Sequence, residues 1–171
     1  MHNHQESITE FITESAFETQ KLGEMVGRLA FPGLLILLSG SLGSGKTTLT
    51  QGVCWGLGLD EYARSPTFVL VNQYSARWTI FHIDLYRLDT LEEIADIGIN
   101  EYLSGENVTI IEWAEKAIPL IPADYLRLWL SETGTDRRSV TVHARGVRHV
   151  ALLKDLQLKP FQGGAEGGDF H

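Results

Sequence analysis

Cysteine is almost absent from this 171-residue chain, whose sequence contains only Cys54. One cysteine excludes an internal disulfide, and it excludes a zinc site built from several thiolates. It also fits a reducing compartment, in which thiols stay unpaired. Because Cys54 adjoins the apolar stripe of a predicted helix, we expect a small buried hydrophobic residue and not a reactive thiol.

The sequence also lacks a long hydrophobic run. The longest run near its start covers residues 34–38, whereas a helix that crosses a bilayer needs roughly 20 apolar residues. The opening residues, Met1 to His4, carry neither the basic segment nor the apolar segment of a secretory signal. We therefore expect neither export nor membrane insertion, and we predict a cytoplasmic protein.

The sequence has fewer positive than negative residues: it contains 14 Lys and Arg and 22 Asp and Glu, which gives a net charge of −8. This balance disfavours a protein that grips nucleic-acid phosphates over a large area of its own surface. Hydrophobic residues make up 43% of the chain and charged residues 21%. These values are typical of globular proteins, so the sequence predicts a folded chain.

The periodicity of apolar residues predicts an alternation of strands and helices. Capping boxes at Ser15 and Thr90 each predict the start of a helix. The run 34–38 has no polar alternation, as expected for a central strand covered on both faces. The other predicted strands are residues 8–12, 68–76, 78–84, 108–112, 125–132 and 139–144, and the other predicted helices are residues 47–57 and 149–158.

A glycine-rich segment joins the central strand to the next helix. Its sequence, GSLGSGKT at residues 40–47, matches the GxxxxGK[ST] phosphate-binding pattern and lies in the strand-to-helix context that the pattern requires. Glycines let successive main-chain N–H groups point at phosphate oxygens, and the helix N-terminus adds partial positive charge. The alternative is an ordinary glycine-rich turn with a surface lysine. The predicted nucleotide contacts of this loop are Leu42, Gly43, Ser44, Gly45, Lys46, Thr47 and Thr48.

This motif and the order of elements around it predict the fold class. We expect an α/β, P-loop NTPase-like fold of three layers, with a mixed, mostly parallel central sheet and a C-terminal antiparallel hairpin. Residues 1–160 are predicted to form a single P-loop domain. Residues 161–171 are rich in glycine and have little to bury, so we expect a mobile C-terminal tail.

Two carboxylates end predicted strands of this sheet. They are Asp84 and Glu112. A P-loop site needs an acid at the end of a neighbouring strand, because Mg²⁺ keeps octahedral oxygen coordination and the attacking water must be held in line. Both acids are therefore candidate catalytic and metal-binding residues, beside the hydroxyl of Thr47 as a metal ligand and Lys46 as the phosphate lysine. Either acid could instead face solvent or cap a turn.

Three further side chains are candidates by their position. Thr67, in the segment Ser-Pro-Thr, follows the P-loop helix where other P-loop proteins contact the γ-phosphate and the metal, although an ordinary turn is the alternative. Trp113 directly follows Glu112, so its indole would cover the nucleotide base at the site rim, with a core tryptophan as the competing interpretation. His82 shares a strand face with Asp84, and it either orients a site residue or is a satisfied structural histidine.

Taken in order, these segments resemble one family, the small bacterial ATPase TsaE, also called YjeE. The resemblance covers about residues 7–132. Its segments are residues 40–48, Ser-Pro-Thr-Phe at 65–68, His-Ile-Asp-Leu-Tyr-Arg at 82–87, Ile-Gly at 97–98, Glu-Tyr at 101–102 and Ile-Glu-Trp at 111–113. The two elements around Asp84 and Glu112 are far more specific than the P-loop, which many NTPases share. Ser41 and Ser44 stand where the family usually has Asp and Ala, and both are small changes that leave the loop backbone available.

The resemblance implies a role for each candidate residue. Lys46 is then the phosphate lysine, and Thr47 and Glu112 hold Mg²⁺. Asp84 is a second essential site carboxylate. By the same resemblance Thr67 is the switch threonine and Trp113 lies against the nucleotide.

The resemblance also implies cofactors and partners, namely ATP or ADP, Mg²⁺, and TsaB-like and TsaD-like subunits. In that family the TsaD subunit carries threonylcarbamoyl transfer to the adenosine beside the tRNA anticodon, and ATP hydrolysis resets the machine between turnovers. The chain would then reach tRNA only through the complex and hydrolyse ATP slowly alone. Two other functions stay open: a small-molecule kinase, although no arginine-rich lid stands out, and a nucleotide-gated binding module with negligible hydrolysis.

Overall fold

The structure is a computed structural model that describes residues 5–61, 63–64, 66 and 70–158. Thr67 and the predicted tail at residues 161–171 lie outside the described residues. The described strands are β1 (Glu6–Thr13), β2 (Leu35–Gly40), β3 (Val71–Ser75), β4 (Thr79–Asp84), β5 (Val108–Glu112), β6 (Tyr125–Glu132) and β7 (Arg138–Arg145). The described helices are α1 (Ala16–Arg28), α2 (Lys46–Gly56), α3 (Leu91–Asp96), α4 (Ile99–Tyr102), a 3₁₀ helix (Ala114–Leu120) and α5 (Val147–Leu158).

The strands form one seven-stranded sheet in the order β1-β7-β6-β2-β5-β4-β3. Strand β2 pairs in parallel with both β5 and β6, and β4 pairs in parallel with β5. Strands β7 and β3 run the opposite way, because β7 is antiparallel to both β1 and β6 and β3 is antiparallel to β4. The prediction of a mixed, mostly parallel sheet with a C-terminal hairpin, β6 and β7, is confirmed.

Helices cover both faces of the sheet and give the predicted three layers. Side chains alternate along β2, so that Ile36 joins the core beneath α1, α2 and α5, while Leu37 joins the core beneath α3, α4 and the 3₁₀ helix. Both side chains are fully buried. A strand buried on both faces needs an unbroken apolar run, which is the pattern that the sequence shows there.

Helices α1 and α2 pack unusually close together. A Cβ added at Gly52 would lie 2.0 Å from the Gln20 carbonyl oxygen, and one added at Gly27 would lie 2.2 Å from the Val53 carbonyl oxygen. Only glycine allows two helix backbones to approach this far. Because α2 begins at Lys46, this contact fixes the position of the preceding glycine-rich loop against α1.

Of the two predicted capping boxes, the one at Thr90 is complete and the one at Ser15 is partial. At Thr90 the full capping box is present, since Thr90 accepts from the Glu93 N–H and Glu93 accepts from the Thr90 N–H. At Ser15 the side chain accepts from the Glu18 N–H at 3.1 Å, but the Glu18 carboxylate bonds the N–H of Glu14 instead. The helix starts were thus predicted correctly, while α4 was not predicted.

The prediction that the chain does not insert into a membrane can be compared with the lengths and polarity of the helices. Among the described residues, the helices are all too short or too polar to cross a membrane.

Candidate functional site

The glycine-rich loop with the predicted phosphate-binding motif lies between the end of β2 and the start of α2. Gly45 caps α2 in a left-handed conformation with φ 106°, and Gly43 also has a positive φ, of 79°. A left-handed backbone favours glycine, because a Cβ there meets the neighbouring carbonyl oxygen. At Gly40 a Cβ would lie 2.6 Å from the Leu130 carbonyl oxygen. Steric constraints in this fold therefore favour glycine at these positions of the motif.

Lys46 is folded back over its own loop. Its Nζ donates to the carbonyl oxygens of Gly40 at 2.6 Å and Ser41 at 2.9 Å. The same ammonium lies 4.2 Å from the ring centroid of Trp113, within cation–π range. Burial lowers the pKa of Lys46, and the negative charges of nearby carboxylates, Glu112 first, act against that shift. A nucleotide phosphate would compete with two carbonyls for this ammonium.

The two predicted acids lie side by side at the carboxyl ends of neighbouring parallel strands. Asp84 of β4 is the register partner of Glu112 of β5. The hydroxyl of Thr47, in the first turn of α2, lies 3.2 Å from the Glu112 Oε1 atom and can donate to it. The structure therefore brings the hydroxyl and both carboxylates to the same edge of the sheet, beside Lys46.

Glu112 and Asp84 differ in burial and in partners. Glu112 is only 2% exposed, and its second oxygen lies 2.7 Å from the Nε2 atom of the fully buried His82. Asp84 is partly buried and accepts from the N–H of Tyr86 at 2.9 Å. A buried carboxylate held at both oxygens has a fixed orientation, whereas Asp84 faces the open side of the site.

Trp113 has a left-handed backbone with φ 59°, the one positive φ among the described residues other than glycine. Such a conformation costs on the order of 1 kcal/mol outside glycine and deserves a local reason. Here it directs the indole to the rim, where the ring lies 5.0 Å from that of Tyr86. Trp113 is partly buried and also packs on the core beneath α3, so the rim and core interpretations each describe part of its environment.

An open cavity of about 320 Å³ collects nearly all of the predicted site residues. Its lining is Leu42, Gly43, Gly45, Lys46, Thr47, Thr48, Asp84, Tyr86, Glu112 and Trp113. Ser44 is absent from this lining because its side chain is fully buried beneath the loop. The remaining predicted residue, Thr67, lies outside the described residues.

Two residues of the site were not among the predicted set. Tyr86 lines the cavity, and its place in the His-Ile-Asp-Leu-Tyr-Arg segment was the available signal. Arg138, at the start of β7, donates from Nε to the Ser44 carbonyl oxygen at 3.0 Å. It also lines a smaller cavity of about 100 Å³ on the other side of the loop, with Thr19, Thr48 and Asp136. No local motif marks Arg138, because the β6–β7 hairpin reaches the loop only through the fold.

The donor atoms at this edge of the sheet suit Mg²⁺. They are the Thr47 hydroxyl and the carboxylates of Glu112 and Asp84, all oxygen, which is the ligand type that Mg²⁺ prefers. Within the part of the chain that the structure describes, no cluster of three or more His, Cys, Asp and Glu side chains forms a metal cage. Magnesium sites in nucleotide-binding proteins commonly use one or two carboxylates, with phosphates completing the shell.

Comparison with known proteins places the chain among relatives. A family model described as "Threonylcarbamoyl adenosine biosynthesis protein TsaE" matches residues 13–140. The chain belongs to the TsaE family. The resemblance seen in the sequence motifs is therefore confirmed.

Individual relatives agree with this membership. The chain is 38% identical over 131 residues to a protein named tRNA threonylcarbamoyladenosine biosynthesis protein TsaE from Treponema pallidum, covering 77% of this chain and 97% of that one. It is 34% identical to the protein of the same name from Bacillus subtilis, over 81% of this chain and 87% of the other. A crystal structure of Bacillus subtilis YdiB superposes with a TM-score of 0.77 at 29% identity, covering 91% of this chain and 97% of the other.

Proposed function

We propose that this TsaE-family chain is an ATPase subunit that serves the synthesis of threonylcarbamoyladenosine in tRNA. The observation that carries the proposal is the contact between Thr47 and Glu112, 3.2 Å apart, directly beside Lys46. This contact joins the start of the P-loop helix to the end of the neighbouring strand, where a nucleotide-bound magnesium ion needs its protein oxygens. The names of the relatives supply the biosynthetic context.

The residues of the cavity divide the binding of a triphosphate between them. The loop main chain and the N-terminus of α2 would bind phosphate oxygens, with the Ser44 N–H leaving the Ser41 carbonyl oxygen that it now bonds. Lys46 would add a full positive charge after leaving the carbonyls of its own loop. Thr47 and Glu112 would hold Mg²⁺, with Asp84 beside them. When bound, the ion neutralises charge that develops on the phosphate oxygens.

Asp84 is the candidate for handling the attacking water. Its partly buried carboxylate faces the open cavity next to Glu112, so it can accept a hydrogen bond from a water molecule placed there. Glu112 is less suited to this role, because both of its oxygens already have partners. Thr67 remains a candidate for the γ-phosphate by resemblance to the family.

The two sides of the loop suggest how the nucleotide is oriented. The Trp113 ring lies close to the Lys46 ammonium, and therefore near the phosphates. The smaller cavity between Thr48 and Arg138 lies at the other side of the loop. We place the ribose and base on that side, so that Trp113 covers the phosphate end and not the base, which its position in the sequence had suggested.

The partners proposed for this chain are TsaB-like and TsaD-like subunits, as the family resemblance implies. Tyr86 is half exposed and Leu42 is 73% exposed at the mouth of the cavity, so a partner could contact the nucleotide site directly. Hydrolysis by the isolated chain would then be slow, because other P-loop switches also need a residue supplied from outside. tRNA is reached only through the complex, and the cytoplasm is the compartment that we expect.

The test is an ATPase assay of the chain alone and with a TsaB and TsaD pair, combined with co-purification with and without ATP. We expect slow turnover alone and faster turnover in the complex. A small-molecule kinase would need only its acceptor, and a pure nucleotide gate would bind without turnover in either condition. Glu112→Gln should abolish Mg²⁺-dependent hydrolysis, while Glu106→Gln, at an exposed site before the other end of β5, should not. Full activity of Glu112→Gln would refute the site.

A further inference from the structure

We propose that His82 is a positioning residue for the metal-binding carboxylate of Glu112; this inference rests on the proposed function. His82 lies in the middle of β4, where its sheet neighbours are Asn72 on one side and Ile110 on the other. Its side chain shares the α2 face of the sheet with Ile80 and Asp84. A histidine at a fully buried strand position needs a polar partner, since burial without one costs free energy.

That partner is Glu112. The Nε2 atom of His82 lies 2.7 Å from the Glu112 Oε2 atom, and the two side chains are 0% and 3% exposed. A carboxylate oxygen accepts a hydrogen bond from the His82 tautomer that carries its hydrogen on Nε2. The distance is within the range of charge-assisted hydrogen bonds, which are stronger than neutral ones.

The two oxygens of Glu112 thus have separate partners on separate elements. Oε2 is held by His82 of β4, and Oε1 faces the Thr47 hydroxyl of α2. With one oxygen fixed, the carboxylate plane cannot rotate freely, and the other oxygen stays directed at the position of Thr47. Residues around metal sites commonly orient the metal ligands through hydrogen bonds of this kind.

The opposite ring nitrogen makes this assignment more specific. Among the described residues, His82 Nδ1 is buried and has no hydrogen-bond partner. The contact with Glu112 is therefore the hydrogen bond through which the described residues hold the His82 ring.

The test compares three substitutions at His82 by titrating the fluorescent nucleotide mant-ADP with Mg²⁺ and with EDTA. His82→Leu removes the hydrogen bond, His82→Gln places an amide N–H near the position of Nε2, and His82→Asn is too short to reach Glu112. We expect His82→Leu and His82→Asn to lose about 10- to 100-fold of the affinity gain that Mg²⁺ gives. Their affinity in EDTA should stay within about twofold of wild type, and His82→Gln should recover most of the gain.

Controls and contrary outcomes separate this inference from the proposed function. His143→Gln on β7, away from the cavity, serves as the matched histidine control and should behave as wild type. Full retention of the Mg²⁺ gain in His82→Leu, equal loss in Mg²⁺ and EDTA, or equal rescue by Asn and Gln would overturn the positioning role. If none of the three variants folds, as judged by circular dichroism, His82 is a core residue and the inference is also overturned. Wild-type protein that binds mant-ADP equally in Mg²⁺ and EDTA would instead refute the proposed metal site.

Discussion

Replacing Gly52 with alanine tests how α2 is held in place against α1. Gly52 lies inside α2 and faces the main chain of α1, where a Cβ would be 2.0 Å from the Gln20 carbonyl oxygen and 3.0 Å from the Glu24 nitrogen. Ordinary contacts of a Cβ begin near 3.4 Å, so the helices would have to separate by roughly 1.4 Å at this point. Main-chain atoms of a helix cannot move aside as a flexible side chain would.

The expected cost follows from two opposing effects. Forcing extra atoms into a close-packed interior costs about 3 kcal/mol at the upper end of the usual range. Alanine in place of glycine inside a helix returns about 1 kcal/mol through its better helix propensity. We therefore expect Gly52→Ala to lower the free energy of unfolding by about 2 kcal/mol or more. For a chain of this length that corresponds to a fall in Tm of about 4–8 °C.

Thermal and urea unfolding followed by circular dichroism would measure this loss. Gly134→Ala is the matched control, because a Cβ at Gly134 would have only one ordinary contact, 3.4 Å from the Arg137 Cβ. That variant should stay within about 0.5 kcal/mol of wild type. Since Lys46 and Thr47 begin α2, Gly52→Ala should also weaken mant-ADP binding. A Gly52→Ala protein as stable as wild type would refute the backbone-to-backbone packing of the two helices.

Three further predictions concern the site and the pH dependence of stability. Lys46→Ala should abolish most of the nucleotide affinity measured by mant-ADP titration, whereas Lys21→Ala on α1 should not. Unchanged binding by Lys46→Ala would contradict the role of the loop in phosphate binding. In a variant whose single tryptophan is Trp113, ADP should change the tryptophan fluorescence, because the indole lies 4.2 Å from the Lys46 ammonium. If the fluorescence does not respond to ADP, Trp113 is a core residue that does not contact the nucleotide. Burial lowers the pKa of His149 to about 4 from 6.5. As the pH decreases, the unfolded state therefore binds a proton at His149 before the folded state does. The free energy of unfolding should then fall between pH 6.5 and about pH 4, by up to about 3 kcal/mol. Urea unfolding across that pH range should show this slope in wild type and a weaker slope in His149→Leu, and equal slopes would show that other groups cause it.

Most of the local structure was predictable where one short segment contained both the cause and the effect, although the capping box at Ser15 forms only in part. The Thr90 capping box forms as predicted because the two hydrogen bonds lie within four residues. The buried run of β2 and the loop before Lys46 follow for the same reason, since periodicity and glycine conformation act locally. By contrast, α4 is a single turn of Ile99–Tyr102, too short to produce a periodic pattern.

Contacts between distant segments could not be predicted in this way. The sequence places Arg138 94 positions after Ser44, and only the pairing of β6 with β2 brings the hairpin beside the loop. Similarly, His82 was expected either to orient Asp84 or another site residue or to be a structural histidine, and the register of β4 against β5 brings it to Glu112. Such choices depend on strand order, which no local pattern encodes.

The sequence by itself therefore determined the family, the glycine-rich motif and the two candidate acids, because each of these is contained in a short run of residues. The tertiary structure alone decided which atoms meet: Thr47 with Glu112, Glu112 with His82, and Arg138 with the loop carbonyl of Ser44. The physical reason is that these contacts arise from the parallel pairing of strands and from the close glycine packing of α1 on α2. Both are interactions between segments far apart in the chain, so their geometry exists only once the chain has folded.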